Sequence, residues 1–332
     1  MCGGSKMKLP HRRQFLHLAA GAAALPAVSR IAWAQAYPTR PVRIIVGFAA
    51  GGGYDIIARL IGQWLSDRFG QPFVIENRPG AATNIATQSV VNAPPDGYTL
   101  LLVGPTNTIN TTFYRKLNFD FTRDITPVAT ITRQPQAMLT NPSFPAKTIP
   151  ALIDYAKANP GKINTSSPGV GSISHLAIEL FKMMAGVNLV HVPFGGNAPA
   201  LTALLGGQVD LSVASLPSSI ESIRSGKLHG LAVTTATRAE ALPDVPAIGE
   251  FVPGYEVSAW YGIGAPNGTP SDVIDKISKE INAGLADPKL KARIAEFGGT
   301  PLALSPGEFG KFIADETEKW AKVIKSAGIK PE

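Results

Sequence analysis

Cysteine is nearly absent: the only one in 332 residues is Cys2. From residue 37 onward the chain therefore has no disulfide, thiol nucleophile, iron–sulfur cluster or thiolate zinc site. Histidine is scarce there too, limited to His175, His191 and His229, at no metal-ligand spacing. No apolar run approaches the ~20 residues of a membrane-spanning helix. Acidic residues are missing altogether from residues 1–36, which carry Lys6, Lys8, Arg12, Arg13 and Arg30. Those five supply most of the net charge of +7; the remaining 26 basic against 24 acidic side chains leave +2. A nearly neutral body argues against nucleic acid as a partner. The hydrophobic fraction of 45% excludes intrinsic disorder. A length of 332 residues allows two domains, since single cores rarely grow past roughly 250–300.

What is present begins with an address. Lys8, His11, Arg12 and Arg13 precede an apolar stretch, Phe15 to Val28, and small residues then frame a cleavage site near residues 34–36. Arg12-Arg13 followed by Phe15-Leu16 resembles the twin-arginine export signature, with an ordinary secretory signal as the alternative. Residues 1–36 are read as a cleaved signal peptide, its start at Met1 or Met7, and the mature protein as periplasmic.

From Pro41 onward, apolar strand-like runs alternate with amphipathic helical patterns, the mark of an α/β fold. Strands are expected at Val42–Phe48, Phe73–Glu76 and Tyr98–Val103, with helices at Asp55–Phe69 and Ile85–Val91. A second unit alternates helices Ile149–Ala158, Ser172–Ala185, Ala198–Leu205 and Ser218–Ser225 with strands Lys162–Thr165, Leu189–Val192, Val209–Val213 and Gly230–Thr234. Ile125–Thr132 and Gln136–Thr140 read as extended segments broken by Pro135, and Tyr255–Ala265 as another long extended run. Helices Ser271–Leu285, Pro288–Phe297 and Pro306–Ser326 close the chain, the last opened by a Ser305/Glu308 capping box. The pattern implies a two-lobed fold of two doubly wound α/β domains joined by crossing strands. Residues 37–135 with 235–332 would form one lobe and 136–234 the other.

Two glycine-rich strand-to-helix turns stand out: Phe48-Ala49-Ala50-Gly51-Gly52-Gly53-Tyr54-Asp55, and Ser166-Ser167-Pro168-Gly169-Val170-Gly171-Ser172 leading to His175. Unpaired amides at a helix start sit at the positive end of its dipole, and glycine lets an anion approach them. One such turn per lobe suits a ligand with an acid group at each end. Either turn alone is ordinary in α/β proteins, and capping is the default role of Asp55. Gly169-x-Gly171 lacks the third glycine of a dinucleotide fingerprint, neither turn has the P-loop lysine, and no cofactor is expected. No Gly-x-Ser-x-Gly elbow is present. Ser172 and His175, three residues apart on a helix, leave an exported hydrolase as an alternative.

The series as a whole resembles the periplasmic solute-binding receptors of tripartite tricarboxylate transporters, the Bug family. The resemblance rests on Gly51-Gly52-x-x-Asp55, Glu76-Asn77-Arg78-Pro79-Gly80-Ala81 and Pro95-Asp96-Gly97-Tyr98. Further along it rests on Ser167-x-Gly169-x-Gly171-Ser172-x-x-His175, His191-Val192-Pro193-Phe194, Gly207-Gln208-Val209-Asp210 and Ala265-Pro266-x-Gly268-Thr269-Pro270. It covers essentially the whole chain after residue 36.

The resemblance implies a non-enzymatic, type II periplasmic-binding fold that closes on a small carboxylate and delivers it to a membrane permease. A monomer is expected. Carried over residue by residue, it points to Phe48, Ala49, Gly52, Gly53 and Asp55 in the first turn. In the second it points to Ser167, Gly171, Ser172 and His175. The same surface would serve a receptor feeding a sensor kinase. Two positions depart from the family pattern: Phe194-Gly195-Gly196 removes a hydroxyl and a cation, and Ala214 stands at a frequent acidic position. If that acid faces the cleft in relatives, its loss favours a di- or tricarboxylate or an aromatic acid over an amino acid.

Overall fold

Val42–Val46 (β1) and Thr99–Val103 (β3) are short apolar runs, buried throughout apart from Arg43, as strands covered on both faces must be. The computed structural model describes residues 1, 3 and 37–326, so the expected export signal lies outside the described residues. Between these strands come α1 (Gly53–Phe69), β2 (Phe73–Asn77) and α2 (Asn84–Val91). Gly70, in the left-handed region at φ 67°, ends α1 by turning its N–H back to Ser66 O. β1 pairs in parallel with both β2 and β3.

Two helices follow that periodicity did not reveal, α3 (Pro105–Phe113) and the single turn α4 (Phe121–Asp124). The signal for α3 was present: Gly104-Pro105 follows a strand, and Pro105 sits in the first helical turn, where no N–H is missed. β4 then runs unbroken over 16 residues, Ile125–Thr140. The expected break at Pro135 does not occur. That residue is the last to pair with the following long strand, β9 (Ser258–Pro266). From Gln136 onward β4 pairs instead with β7 (Leu211–Ser215), and from Ala137 also with β8 (His229–Val233). Proline is tolerated at this change of partner, where its missing N–H interrupts no continuous ladder.

The second unit is α5 (Ile149–Ala158), β5 (Asn164–Ser167), α6 (Ile173–Ala185), β6 (Val190–Pro193), α7 (Asn197–Leu205), β7, α8 (Leu216–Arg224) and β8. β5 pairs in parallel with β6 and β7. The C-terminal part is α9 (Ser271–Ala286), α10 (Pro288–Glu296), β10 (Thr300–Pro301) and α11 (Pro306–Ser326). The capping box forms as expected: Ser305 N–H donates to Glu308 Oε2 at 2.9 Å and Glu308 N–H to Ser305 Oγ at 3.3 Å. All strands join one sheet in the order β2-β1-β3-β9-β4-β7-β5-β6, with β8 and β10 also on β4.

Apolar clusters lie on both sides of the change of partner in β4. One gathers Leu101, Val103, Phe121, Trp260 and Phe309; another gathers Leu139, Leu201, Leu204, Leu216 and Val233. Among the described residues no helix is long and apolar enough to cross a membrane.

Candidate functional site

Five helices start at one cavity. Tyr54 at the head of α1, Thr106 of α3, Ser172 before α6, Asn197 of α7 and Ser215 before α8 all line it, together with Phe48, Gln136, Ser174 and Tyr261. The amides of Gly53, Tyr54 and Asp55 precede the first intrahelical bond of α1, Ile56 N–H to Gly52 O. No side chain caps α1, α7 or α8, and ahead of α3 the Gly104 N–H donates to Asn107 Oδ1 at 2.9 Å. Each exposed helix start favours an anion by about 0.3–1 kcal/mol, and the five dipoles point the same sign at the same space.

No charged side chain lines this cavity. Its polar groups are neutral donors and acceptors. Burial pushes the Tyr54 hydroxyl up to about 12 and raises Tyr261 as well, so both phenols keep their protons. The two rings meet edge to face at 4.9 Å, and Phe48 covers Tyr54 at 4.7 Å. Gln136 is 1% exposed; its Oε1 accepts from Ser174 Oγ at 2.9 Å while its Nε2 has no partner. A buried donor left unpaired costs about 1–3 kcal/mol, which a ligand oxygen would recover.

The first glycine turn is pressed against the second unit. A Cβ on Gly53 would lie 2.6 Å from Ser215 Oγ and 2.7 Å from Tyr261 Oη, so only glycine fits. The free space between them is ≈ 10 Å³, about what one water needs. Phe48 and Pro168 connect this space to an outer cavity of ≈ 230 Å³ bounded by Gly80, Ala82, Tyr114, Phe194 and Gly195. Ala81 and Ala82 on that wall, and Thr83 behind it, all adopt positive φ (44°, 44° and 76°), a conformation that non-glycine residues rarely hold. Asn110 Nδ2 clamps the segment through Ala82 O at 2.6 Å and Asn84 Oδ1 at 2.8 Å.

Of the nine residues singled out from sequence, Phe48 and Ser172 line the inner cavity, and Gly52 and Gly53 form the uncapped start of α1. Ala49 packs against Gly196. The other four sit behind the walls. Asp55 is 3% exposed and turned inward, accepting from Gly51 N–H and Arg59 Nε at 2.9 Å each. Burial alone would raise its pKa, but Arg59, Gly51 and Asn77 outweigh it and hold the carboxyl below its usual range. Gly171 N–H donates to His175 Nδ1 at 3.1 Å, and Ser167 Oγ lies 2.6 Å from His191 Nε2.

This arrangement does not form the Ser172–His175 couple. Ser172 Oγ donates to Gly169 O at 2.6 Å and accepts from the His175 backbone N–H at 3.2 Å, while the His175 ring is engaged by Gly171. Ala214 also needs correction. It is fully buried in the apolar cluster with Leu201 and Leu216 and does not face the cleft, so its identity carries no argument about a ligand ammonium. Sequence reasoning missed Thr106, Gln136, Asn197, Ser215 and Tyr261. Of these, only Thr106 had a local signal, the Gly104-Pro105 helix start.

Residues 57–329 match the family described as "Tripartite tricarboxylate transporter family receptor". The chain belongs to that family. Among curated relatives, protein BugT of Bordetella pertussis is 34% identical over 300 residues, covering 90% of this chain and 92% of its own. Among solved structures, Rpa4515 of R. palustris with adipate superposes with TM-score 0.87 at 38% identity, covering 89% of this chain and 100% of the other. Periplasmic binding protein BugD gives 0.86 at 35%, with 89% and 100% covered. MatC of Rhodopseudomonas palustris with bound malate gives 0.82 at 31%, with 87% and 100% covered. The receptor is thus a Bug-type solute-binding protein with a two-lobed periplasmic-binding-protein fold. The family is one of receptors, not enzymes.

Proposed function

We propose that this receptor captures a small carboxylate, aliphatic di- or tricarboxylate or aromatic acid, in the periplasm and delivers it to a membrane permease of the tripartite tricarboxylate type. The observation that carries this reading is the convergence of five helix starts on a cavity lined by hydroxyls and amides and by no acid. Carboxylate oxygens need donors and a positive potential, and this site supplies both without a cation. Malate and adipate in the relatives' structures are ligands of that class.

The lobes would be residues 37–135 with 235–332, and 136–234, closing over the ligand about β4 and β9. The change of partner in β4 after Pro135 supports that boundary. Gly52, Gly53 and Phe48 would hold one carboxylate, and Ser172, with the turn that Ser167, Gly171 and His175 brace, the other. Asp55 would act by orienting Gly51. The protein would work as an exported monomer.

A thermal-shift screen of the purified protein against aliphatic dicarboxylates, citrate-type acids, aromatic acids and amino acids tests the reading. A ligand at ~100 times its Kd adds about 2.7 kcal/mol, several degrees in Tm. A flat panel after unfolding and refolding, which removes any co-purified ligand, would sink the carboxylate assignment.

A further inference from the structure

The outer cavity of ≈ 230 Å³ is walled by Phe48, Tyr114, Pro168, Val170, Pro193 and Phe194, with glycine and alanine between them. No charged side chain borders it, and the Tyr114 hydroxyl is the one polar side-chain group among its lining residues. Three separate elements deliver the aromatic residues. Phe48 lies two residues past β1, Tyr114 directly follows α3, and Phe194 directly follows β6. Close approaches hold these ends together. A Cβ on Gly169 would lie 3.3 Å from Phe194 O, and one on Gly196 3.1 Å from Ala49 Cβ. One on Gly171 would lie 3.3 Å from the Phe113 ring. Ala49 follows Phe48 and Phe113 precedes Tyr114, so the three aromatic residues stand around one opening. Contacts behind the wall fix them: Phe194 packs on the apolar cluster with Leu201 and Leu216, and Tyr114 meets Phe113 edge to face at 5.5 Å.

We infer that the body of the ligand is an aromatic ring, held in this outer cavity between Phe48, Tyr114 and Phe194. The inference rests on the carboxylate reading of the cleft and narrows it to aromatic acids. The inner space of ≈ 10 Å³ admits no ring, so a ligand whose acid group reaches the helix starts leaves its body outside. A cavity of about 150 Å³ takes a benzene molecule, so ≈ 230 Å³ accommodates one ring with its substituents. Aromatic side chains attract a ring by offset-stacked or edge-to-face contact beyond what apolar burial alone supplies. A flexible aliphatic chain gains only the burial and loses conformational freedom on binding. Phe194 and Gly195 belong to the segment that departs from the family pattern by losing a hydroxyl and a cation, and both are on this wall.

The test is a calorimetric titration of refolded protein with terephthalate and with hexanedioate, whose carboxyls are separated by the same number of carbons along a flexible chain. The expected result is about tenfold tighter binding of terephthalate. Tyr114→Leu and Phe194→Leu, which keep apolar bulk but remove a ring, should each cut that ratio about threefold. Both ligands are compared on one preparation, so a partial loss of folded protein leaves the ratio unchanged. Equal affinity for the two diacids overturns the inference while the carboxylate reading stands. A preference that survives both substitutions overturns it as well, since terephthalate would then gain from its rigidity alone. Binding of neither also overturns it, and the thermal-shift screen then decides whether the carboxylate reading falls with it.

Discussion

His175 and His191 stack face to face behind the serine–glycine turn, ring centroids 4.0 Å apart and 17° from parallel. Burial is the main cause that lowers both, to about 4 for His175 and about 3 for His191, with Lys182 adding to each and His175 acting on His191. Glu179, 3.9 Å from His175 Nε2, opposes this for His191 but is itself paired with Lys182 at 2.9 Å.

A pH dependence follows from that pair. The unfolded chain takes up protons near the ordinary value of 6.5, whereas the folded rings resist until about 4 and 3. Protonation thus favours the unfolded state first, and stability is lost as pH falls from 6.5 towards 4. Urea midpoints measured at pH 7.5, 6.5, 5.5 and ~4.5 should fall steadily below 6.5. His191→Phe should flatten that slope; an unchanged slope would show that other groups carry it.

Gln136 gives a second prediction. Gln136→Leu removes the unpaired buried donor at Nε2 and also the acceptor of Ser174 Oγ, so the two effects on stability oppose each other and the net loss should be small. Carboxylate affinity should fall on the order of tenfold, reflecting about 1–3 kcal/mol for the lost hydrogen bond. Calorimetric titration alongside thermal melting checks both halves. A stability loss as large as the affinity loss would make Gln136 a structural residue only.

Strain at the mouth of the cleft gives a third. Ala82→Gly and Thr83→Gly relieve positive φ at 44° and 76°, each worth on the order of 1 kcal/mol, or about 2 °C in Tm. Lower melting temperatures in both would mean that the Cβ atoms pack well enough to outweigh the strain.

Gly53→Ala is predicted to act in the opposite way. The new methyl would meet Ser215 Oγ and Tyr261 Oη, so the closed contact between the first turn and β7 cannot form and affinity should drop by at least tenfold. A circular dichroism spectrum like that of the parent would separate this from misfolding.

Most of the strands and helices were legible because parallel strands such as Thr99–Val103 are apolar runs and helices such as Ser271–Ala286 are amphipathic. Pro135 misled because a strand that changes partners can absorb a proline, a fact of pairing and not of local sequence. The glycine turns marked two walls of the site. Gln136, Asn197, Ser215 and Tyr261 carry no local motif; they meet only because β4, α7, β7 and β9 converge. Asp55 and His175 were visible as polar residues beside those turns, but whether such a side chain faces a ligand or braces the backbone is set by tertiary packing.

The most direct test of the central claim is a calorimetric titration of refolded protein with the dicarboxylate that stabilises it best, repeated with the corresponding diamide and at low and high salt. A site made of helix starts and neutral donors predicts one ligand per chain and at least tenfold weaker binding of the diamide. It also predicts little dependence on salt, since no exposed ion pair is involved. Equal affinity for the diamide, or binding that vanishes at high salt, would contradict it.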